Sequence, residues 1–115
     1  PTEEKGLTRD GVDLHYEIEI DVIEAILGTT KEINIPIIWK RTIDIKSGTQ
    51  HGTILKFSND GVKHIESEDK WNLYITLNIK IPKKLSKKER ECYEVIASEK
   101  KINVNKSGVF EKIFG

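Results

Sequence analysis

The chain has 115 residues, a length that suits one domain, and its 19 basic and 19 acidic residues cancel. A net charge of zero argues against a general attraction to nucleic acid or to an anionic membrane surface. No long apolar run occurs, and no basic segment precedes an apolar one, so neither a transmembrane helix nor a signal peptide is predicted.

The single cysteine, Cys92, excludes an internal disulfide framework and suits a reducing compartment such as the cytoplasm. The sequence begins at Pro1 instead of a methionine, and we therefore expect a piece cut from a longer protein. Residues 1–6 are polar, and we interpret them as a linker that leads into the turn "RDGVD".

A half-buried strand and a short helix are predicted next. The run "DLHYEIEID" alternates apolar and polar residues, which is typical of a strand with one face in the core. Asp21 and Glu24 have the spacing of a capping box, in which two side chains bind free N–H groups at a helix start. Gly28 is placed to end this helix in the left-handed conformation, which costs glycine no steric strain.

Strand patterns continue after the short helix. The run "KEINIPI" alternates again, but Pro36 donates no backbone hydrogen bond and therefore predicts a sheet edge or a strand end. We interpret residues 39–41, "WKR", as a hairpin tip and residues 47–52, "SGTQHG", as a turn between two glycines. Residues 54–57 are predicted to form a further strand, and "WNLYITLNIKIP" is the longest alternating run of the chain.

The period of the apolar residues changes after Pro82. Ser86 and Glu89 form a second capping box, and the helix that follows has an apolar side that contains Cys92. The tail after this helix carries a further apolar cluster. The sequence therefore predicts a mostly β protein: a small, mostly antiparallel β sandwich with one short inserted helix and a longer helix near the C-terminus.

Nothing in the sequence favours catalysis. A metal site needs convergent ligands, and none of the three histidines has a second ligand at close spacing. Cys92 is by default a small core residue, with a catalytic nucleophile as the alternative. Two pairs of acidic residues could mimic general acid–base partners: Glu17 with Glu19, and Glu66 with Glu68. Charged residues on an exposed strand or loop, however, generally just face water. With no nucleotide-binding or serine-hydrolase motif present, we predict no enzyme activity, no metal and no cofactor.

Five short motifs occur in a fixed order and spacing. They are "DL" at 13–14, "AILG" at 25–28, "IP" at 35–36, "GTQHG" at 48–52 and "PKKLS" at 82–86. Together they resemble the C-terminal region of the DnaJ family of heat-shock co-chaperones, and more narrowly its second β subdomain followed by the terminal helix. The resemblance covers about residues 7–97. It divides the chain into the linker 1–6, a β subdomain 7–85, and a helix with a dimerisation tail at 86–115.

The sequence departs from the family pattern at three places. The hairpin after Pro36 lacks its usual glycine, residues 58–63 lack one glycine and a proline, and "WNL" replaces Gly-Asp-Leu at 71–73. The J domain, the glycine-rich linker and the cysteine-rich zinc module of the family are not part of this sequence.

The resemblance implies binding of unfolded client polypeptides, in a parent protein that delivers them to a seventy-kilodalton heat-shock chaperone. In the related first subdomain, an extended client peptide adds to a sheet edge beside an apolar groove. Carried over by position, the residues of the groove walls are Tyr16, Ile18, Lys31, Ile33 and Ile35. The alternative is that these residues are simply core.

The resemblance also implies that the C-terminal end forms a homodimer. The candidate contact residues are Tyr93, Ile96, Val109, Phe110, Ile113 and Phe114. The alternatives are a tail that folds back on its own domain or is disordered. For the whole segment, the alternative function is a structural dimerisation or spacer module that has no client site of its own.

Overall fold

The computed structural model describes residues 7–10, 13–36, 39–57 and 72–105. The chain divides into two compact units, Pro1–Ile81 and Pro82–Gly115. The helices and strands, in chain order, are β1 (Leu7–Asp10), β2 (Asp13–Asp21), α1 (Val22–Leu27), β3 (Thr29–Ile35), β4 (Trp39–Ile45), β5 (Thr53–Phe57), β6 (Asn72–Lys80) and α2 (Lys87–Glu99).

The first unit contains two sheets. Four strands form one sheet in the order β1-β2-β6-β5, and β3 and β4 form a second, two-stranded sheet. The predicted small β sandwich with one inserted helix and a C-terminal helix is confirmed. Its central pair, β2 and β6, is parallel from Asp13 opposite Asn72 to Asp21 opposite Lys80, whereas the other described pairs are antiparallel.

One apolar core joins the two sheets and α1. It contains alternate residues of the strands, because successive side chains of a strand point to opposite faces. Its buried members are Leu7, Leu14, Ile20, Ala25, Ile35, Ile43, Ile45, Leu73, Ile75 and Leu77.

The predicted hairpin tip at residues 39–41 is wrong. These residues are the start of β4, and Trp39 lies opposite Ile35. The alternation that buries Ile43 and Ile45 extends back through the half-buried Arg41, so the strand begins earlier than the run "WKR" suggests. Pro36 follows the last residue of β3 directly, as expected for a strand end.

The second unit contains α2, which starts with the predicted capping box. The N–H of Glu89 donates to Ser86 Oγ at 3.0 Å, and the N–H of Ser86 donates to Glu89 Oε1 at 2.7 Å. Cys92 is exposed, so its default assignment as a core residue is wrong. The physical reason is that no residue of α2 is buried, and an apolar stripe alone does not establish what covers it.

Two backbone hydrogen bonds close the C-terminal end of α2. The N–H of Lys101 donates to Ser98 O at 3.1 Å, and the N–H of Ile102 donates to Ala97 O at 2.9 Å. This is the Schellman pattern, with Lys101 in the position that glycine usually occupies, at φ 59°. Arg90 Nη2 donates to Asn105 O at 2.8 Å, so the following segment returns along the helix. Neither described helix is long and apolar enough to cross a membrane.

Candidate functional site

The short helix α1 begins with the predicted capping box. The N–H of Ile23 donates to Asp21 Oδ1 at 2.8 Å, and the N–H of Asp21 donates to Glu24 Oε1 at 2.9 Å. These bonds satisfy N–H groups that have no partner inside the helix. The chain therefore leaves β2 and enters a helix within one residue.

The turn between β4 and β5 binds the other end of α1. The N–H groups of Gly48 and Thr49 donate to Ala25 O at 2.8 and 3.0 Å, and Ser47 Oγ donates to Ile26 O at 2.7 Å. The last carbonyl groups of a helix have no internal partner, so this turn supplies donors that six residues of helix cannot supply themselves. The sequence predicted the turn but not its contact with α1.

Gly28 lets the chain pass from α1 directly into β3. It ends α1 as predicted, but its φ of 83° and ψ of 155° lie outside the left-handed helical region, in a region that essentially only glycine adopts. A Cβ on this residue would lie 2.8 Å from Ser47 N and 2.9 Å from Ile45 O. Only glycine fits here, because both the conformation and the space exclude a side chain.

The strand β3 has one partnered side. It pairs with β4 along its whole length, from Thr29 opposite Ile45 to Ile35 opposite Trp39, and no other described strand pairs with it. Every second residue of an edge strand directs its N–H and C=O groups away from the sheet. Proteins usually protect such edges, since they can pair with another chain. The outer side of β3 is therefore a candidate site for an added strand.

The five candidate wall residues differ in their surroundings. Tyr16, Ile18 and Ile33 are half-buried and pack against the core, so each contributes exposed apolar surface beside β3 or on the facing sheet. Ile35 is only 2% exposed and belongs to the core itself. Lys31 is half-buried, with Nζ 3.1 Å from Glu24 Oε2.

Glu24 connects the start of α1 to the candidate edge. Its pKa lies below the ordinary value, mainly because the N–H of Asp21 donates to the carboxylate. Burial opposes this shift, while the hydrogen bond and the positive charge of Lys31 lower the pKa further. The carboxylate is therefore held ionised, and it anchors both a helix N-terminus and the side chain of an edge-strand lysine.

The candidate dimer residues are described in part. Tyr93 is half-buried and Ile96 is 53% exposed, both on α2, which also exposes Val95. The other four candidates, Val109, Phe110, Ile113 and Phe114, lie outside the described residues.

Two histidines have structural contacts. His15 stacks on Tyr74 with ring centroids 5.0 Å apart, and His51 Nδ1 accepts a hydrogen bond from the N–H of Ile79 at 2.9 Å. His64 lies outside the described residues. No cluster of three potential metal ligands is found within the described ranges.

The sequence was compared with models of known protein families and with curated proteins. The model "DnaJ C terminal domain" matches residues 1–82. The chain belongs to the DnaJ C-terminal domain family. The match includes the sandwich and the whole candidate edge of β3, so the family assignment rests on the part of the chain that carries the site.

Three curated relatives are named "Chaperone protein DnaJ". The protein of Haloquadratum walsbyi is 37% identical over 106 residues, which are 91% of this chain and 27% of the relative. The protein of Clostridioides difficile is 33% identical over 109 residues, which are 94% of this chain and 27% of the relative. The protein of Thermotoga neapolitana is 38% identical over 96 residues, which are 84% of this chain and 26% of the relative. The chain thus spans about a quarter of the length of these DnaJ relatives.

Proposed function

We propose that this chain is the client-binding and homodimerising segment of a DnaJ-type co-chaperone. It binds an extended part of an unfolded polypeptide along the outer side of β3. The observation that carries this proposal is that β3 pairs with β4 only, among the described strands, while the half-buried, apolar Ile33 lies on its inner face.

The physical chemistry of such an edge suits an unfolded-protein binder. Backbone hydrogen bonds form with any sequence except proline, so the edge recognises an extended chain and not a particular motif. Partly exposed apolar side chains such as Ile33 and Tyr16 add contact area without demanding one shape. This function needs no catalytic group and no cofactor in the segment.

The parent protein, on this proposal, delivers its clients to a seventy-kilodalton heat-shock chaperone. Two copies of the segment in a homodimer place two weak client sites on one molecule, which raises the overall affinity without a new contact. The exposed apolar residues of α2 support this step, because the side chains of Val95 and Ile96 are 68% and 53% exposed. The free, exposed thiol of Cys92 supports a reducing compartment, the cytoplasm.

The second candidate function is a structural dimerisation module without a client site. It is supported by Ile35, which is core and not groove wall, and by the ion pair that already engages Lys31. The two functions differ in whether the outer side of β3 accepts a strand.

A binding measurement separates the two functions. A fluorescently labelled, reduced and alkylated polypeptide that cannot fold is titrated with the protein, and binding is followed by anisotropy. Ile33→Asp places a charge on the inner face of β3 and should abolish binding. Ile54→Asp is the matched control, because Ile54 is 58% exposed on β5, an edge strand of the other sheet.

A milder substitution guards against a folding defect, since Ile33 contacts the core. Ile33→Thr keeps a β-branched side chain and removes apolar surface, so it should weaken binding while the protein still folds, with a moderately lower thermal unfolding midpoint. Equal binding by the wild type, Ile33→Asp and Ile54→Asp would place the client elsewhere. No binding by the wild type, with dimerisation intact, would establish the structural module instead.

A further inference from the structure

Arg41 lies on β4, the strand that pairs with the candidate edge strand β3. It is directly opposite Ile33 of β3, and it shares the inner, half-buried face of that sheet, whereas its neighbours Lys40 and Thr42 are exposed. The Arg41 guanidinium carbon lies 5.3 Å from the centroid of the Phe57 ring. This cation–π contact holds the charged group against apolar surface.

Within the described part of the chain, the guanidinium of Arg41 has no carboxylate partner, which a half-buried arginine normally has. Its Nε is buried, and no acceptor among the described residues binds it. A buried donor without an acceptor is unfavourable, and buried polar groups in native proteins nearly always have a partner. The preferred partner of a guanidinium is a carboxylate, which it can bind with two parallel hydrogen bonds.

We infer that Arg41 binds a carboxylate of the client strand, which makes glutamate-containing extended segments the preferred clients. This inference rests on the proposed function. A strand added to β3 places one inward side chain beside Ile33, about 10 Å from Arg41, since two strand spacings separate the backbones. A glutamate side chain is long enough to extend over Ile33 to the guanidinium of Arg41. Aspartate is one methylene shorter and reaches it less well. Apolar client residues two positions to either side then face the core side chains.

The test compares two end-blocked peptides that alternate apolar and polar residues and differ at one inward position, glutamate or glutamine. The wild type is expected to bind the glutamate peptide about tenfold more tightly at low salt. Arg41→Gln is expected to remove this preference, so that the two peptides bind with similar affinity. Lys40→Gln, a change of equal charge on the opposite face of the same strand, is the control and should keep the preference.

A spectroscopic readout covers the case in which Arg41→Gln does not fold. The Nε–H resonance of Arg41 in the wild type should shift on titration with the glutamate peptide and stay in place with the glutamine peptide. Equal affinity for both peptides, or a preference that survives Arg41→Gln, would overturn the assignment of Arg41 and leave the client site standing. Absence of binding by either peptide would overturn both the inference and the proposed function.

Discussion

Gly28 connects the helix α1 to the candidate edge strand β3. Gly28→Ala is expected to destabilise the protein by about 3 kcal/mol, because the methyl group meets the backbone of residues 45–47 in a conformation that L residues avoid. Urea unfolding followed by far-UV circular dichroism measures the change.

Gly52 provides the control for this prediction. It has a similar φ of 85°, but nothing lies within 4 Å of its would-be Cβ, so Gly52→Ala should cost only about 1 kcal/mol. Equal losses at the two positions would show that the close approach of Gly28 to Ser47 is not a determinant of stability.

Glu24 contributes stability that depends on pH. Its pKa in the folded protein is lowered, so the contribution is present above the ordinary, unfolded value of 4.5 and is lost as the pH falls through the folded value. Glu24→Gln can keep the capping hydrogen bond and removes the charge, so it should destabilise by about 0.5–1 kcal/mol at pH 7. The difference in the free energy of unfolding between Glu24→Gln and the wild type should vanish at acidic pH, where Glu24 is protonated.

The matched control is Glu32→Gln. Glu32 faces Lys40 at 3.8 Å with both side chains more than half exposed, and such pairs contribute little. A pH-dependent loss of similar size at Glu32 would mean that general charge effects, and not the contacts of Glu24, account for the result.

For single residues, the sequence predicts those contacts that a residue makes with its near neighbours along the chain. The capping boxes of Asp21 with Glu24 and of Ser86 with Glu89 need only a spacing of three residues, and both form. The lack of space for a side chain at Gly28 could not be predicted, because the atoms that a Cβ would meet belong to residues 45–47. The acceptor role of His51 depends in the same way on a distant strand.

Among the elements, α2 offers a direct test of its C-terminal end. Lys101→Gly should stabilise the helix by about 1 kcal/mol, since glycine adopts the φ of 59° without steric cost. Amide exchange of Lys87–Glu99 in the intact chain measures the effect.

The neighbouring residue gives the opposite expectation for α2. Lys100 has an ordinary right-handed helical conformation, so Lys100→Gly should destabilise the helix slightly through the entropy of the unfolded chain. Stabilisation by both substitutions, or by neither, would contradict the Schellman assignment.

The strands were predictable as elements but not as a pairing pattern. Alternation of apolar residues identifies β2 and β6, because one face of each meets the core. The same alternation serves a parallel or an antiparallel neighbour, so it could not predict that Asp13 lies opposite Asn72. The start of β4 was misjudged because the sequence "PIIWK" contains no clear turn signal after its proline.

For the whole molecule, the proposed homodimer predicts a change in mass. The full chain should have the mass of a dimer in solution, and a chain without residues 102–115 should be monomeric, because the deletion removes apolar tail residues of the proposed contact. Ile96→Glu should have the same effect, because a two-fold contact contains the substitution on both subunits and therefore gains two charges.

Ile54→Glu is the control for the dimer prediction, because it charges an exposed isoleucine on β5 and should leave the mass unchanged. Multi-angle light scattering measures all four proteins at the same concentration. An unchanged mass after the deletion and after Ile96→Glu would refute the assignment of this end of the chain to the dimer.

The molecule as a whole was less predictable than its parts. The motif order around "AILG" and "GTQHG" predicted the family, and the structure brings these two stretches into contact, because the turn after β4 binds the end of α1. Whether Ile33 or Ile35 faces a groove could not be read from alternation, which assigns both to one face. Their different exposure follows from the position of each residue along the packed sheets.

The most direct measurement is amide hydrogen exchange of β3, residue by residue, with and without an unfolded polypeptide. An added strand should protect every second amide of Thr29–Ile35, those that point away from β4, and should leave the amides already bonded to β4 unchanged. If the polypeptide binds while exchange along β3 is unaffected, or if the protected amides lie only on β1 or β5, β3 is not the client site.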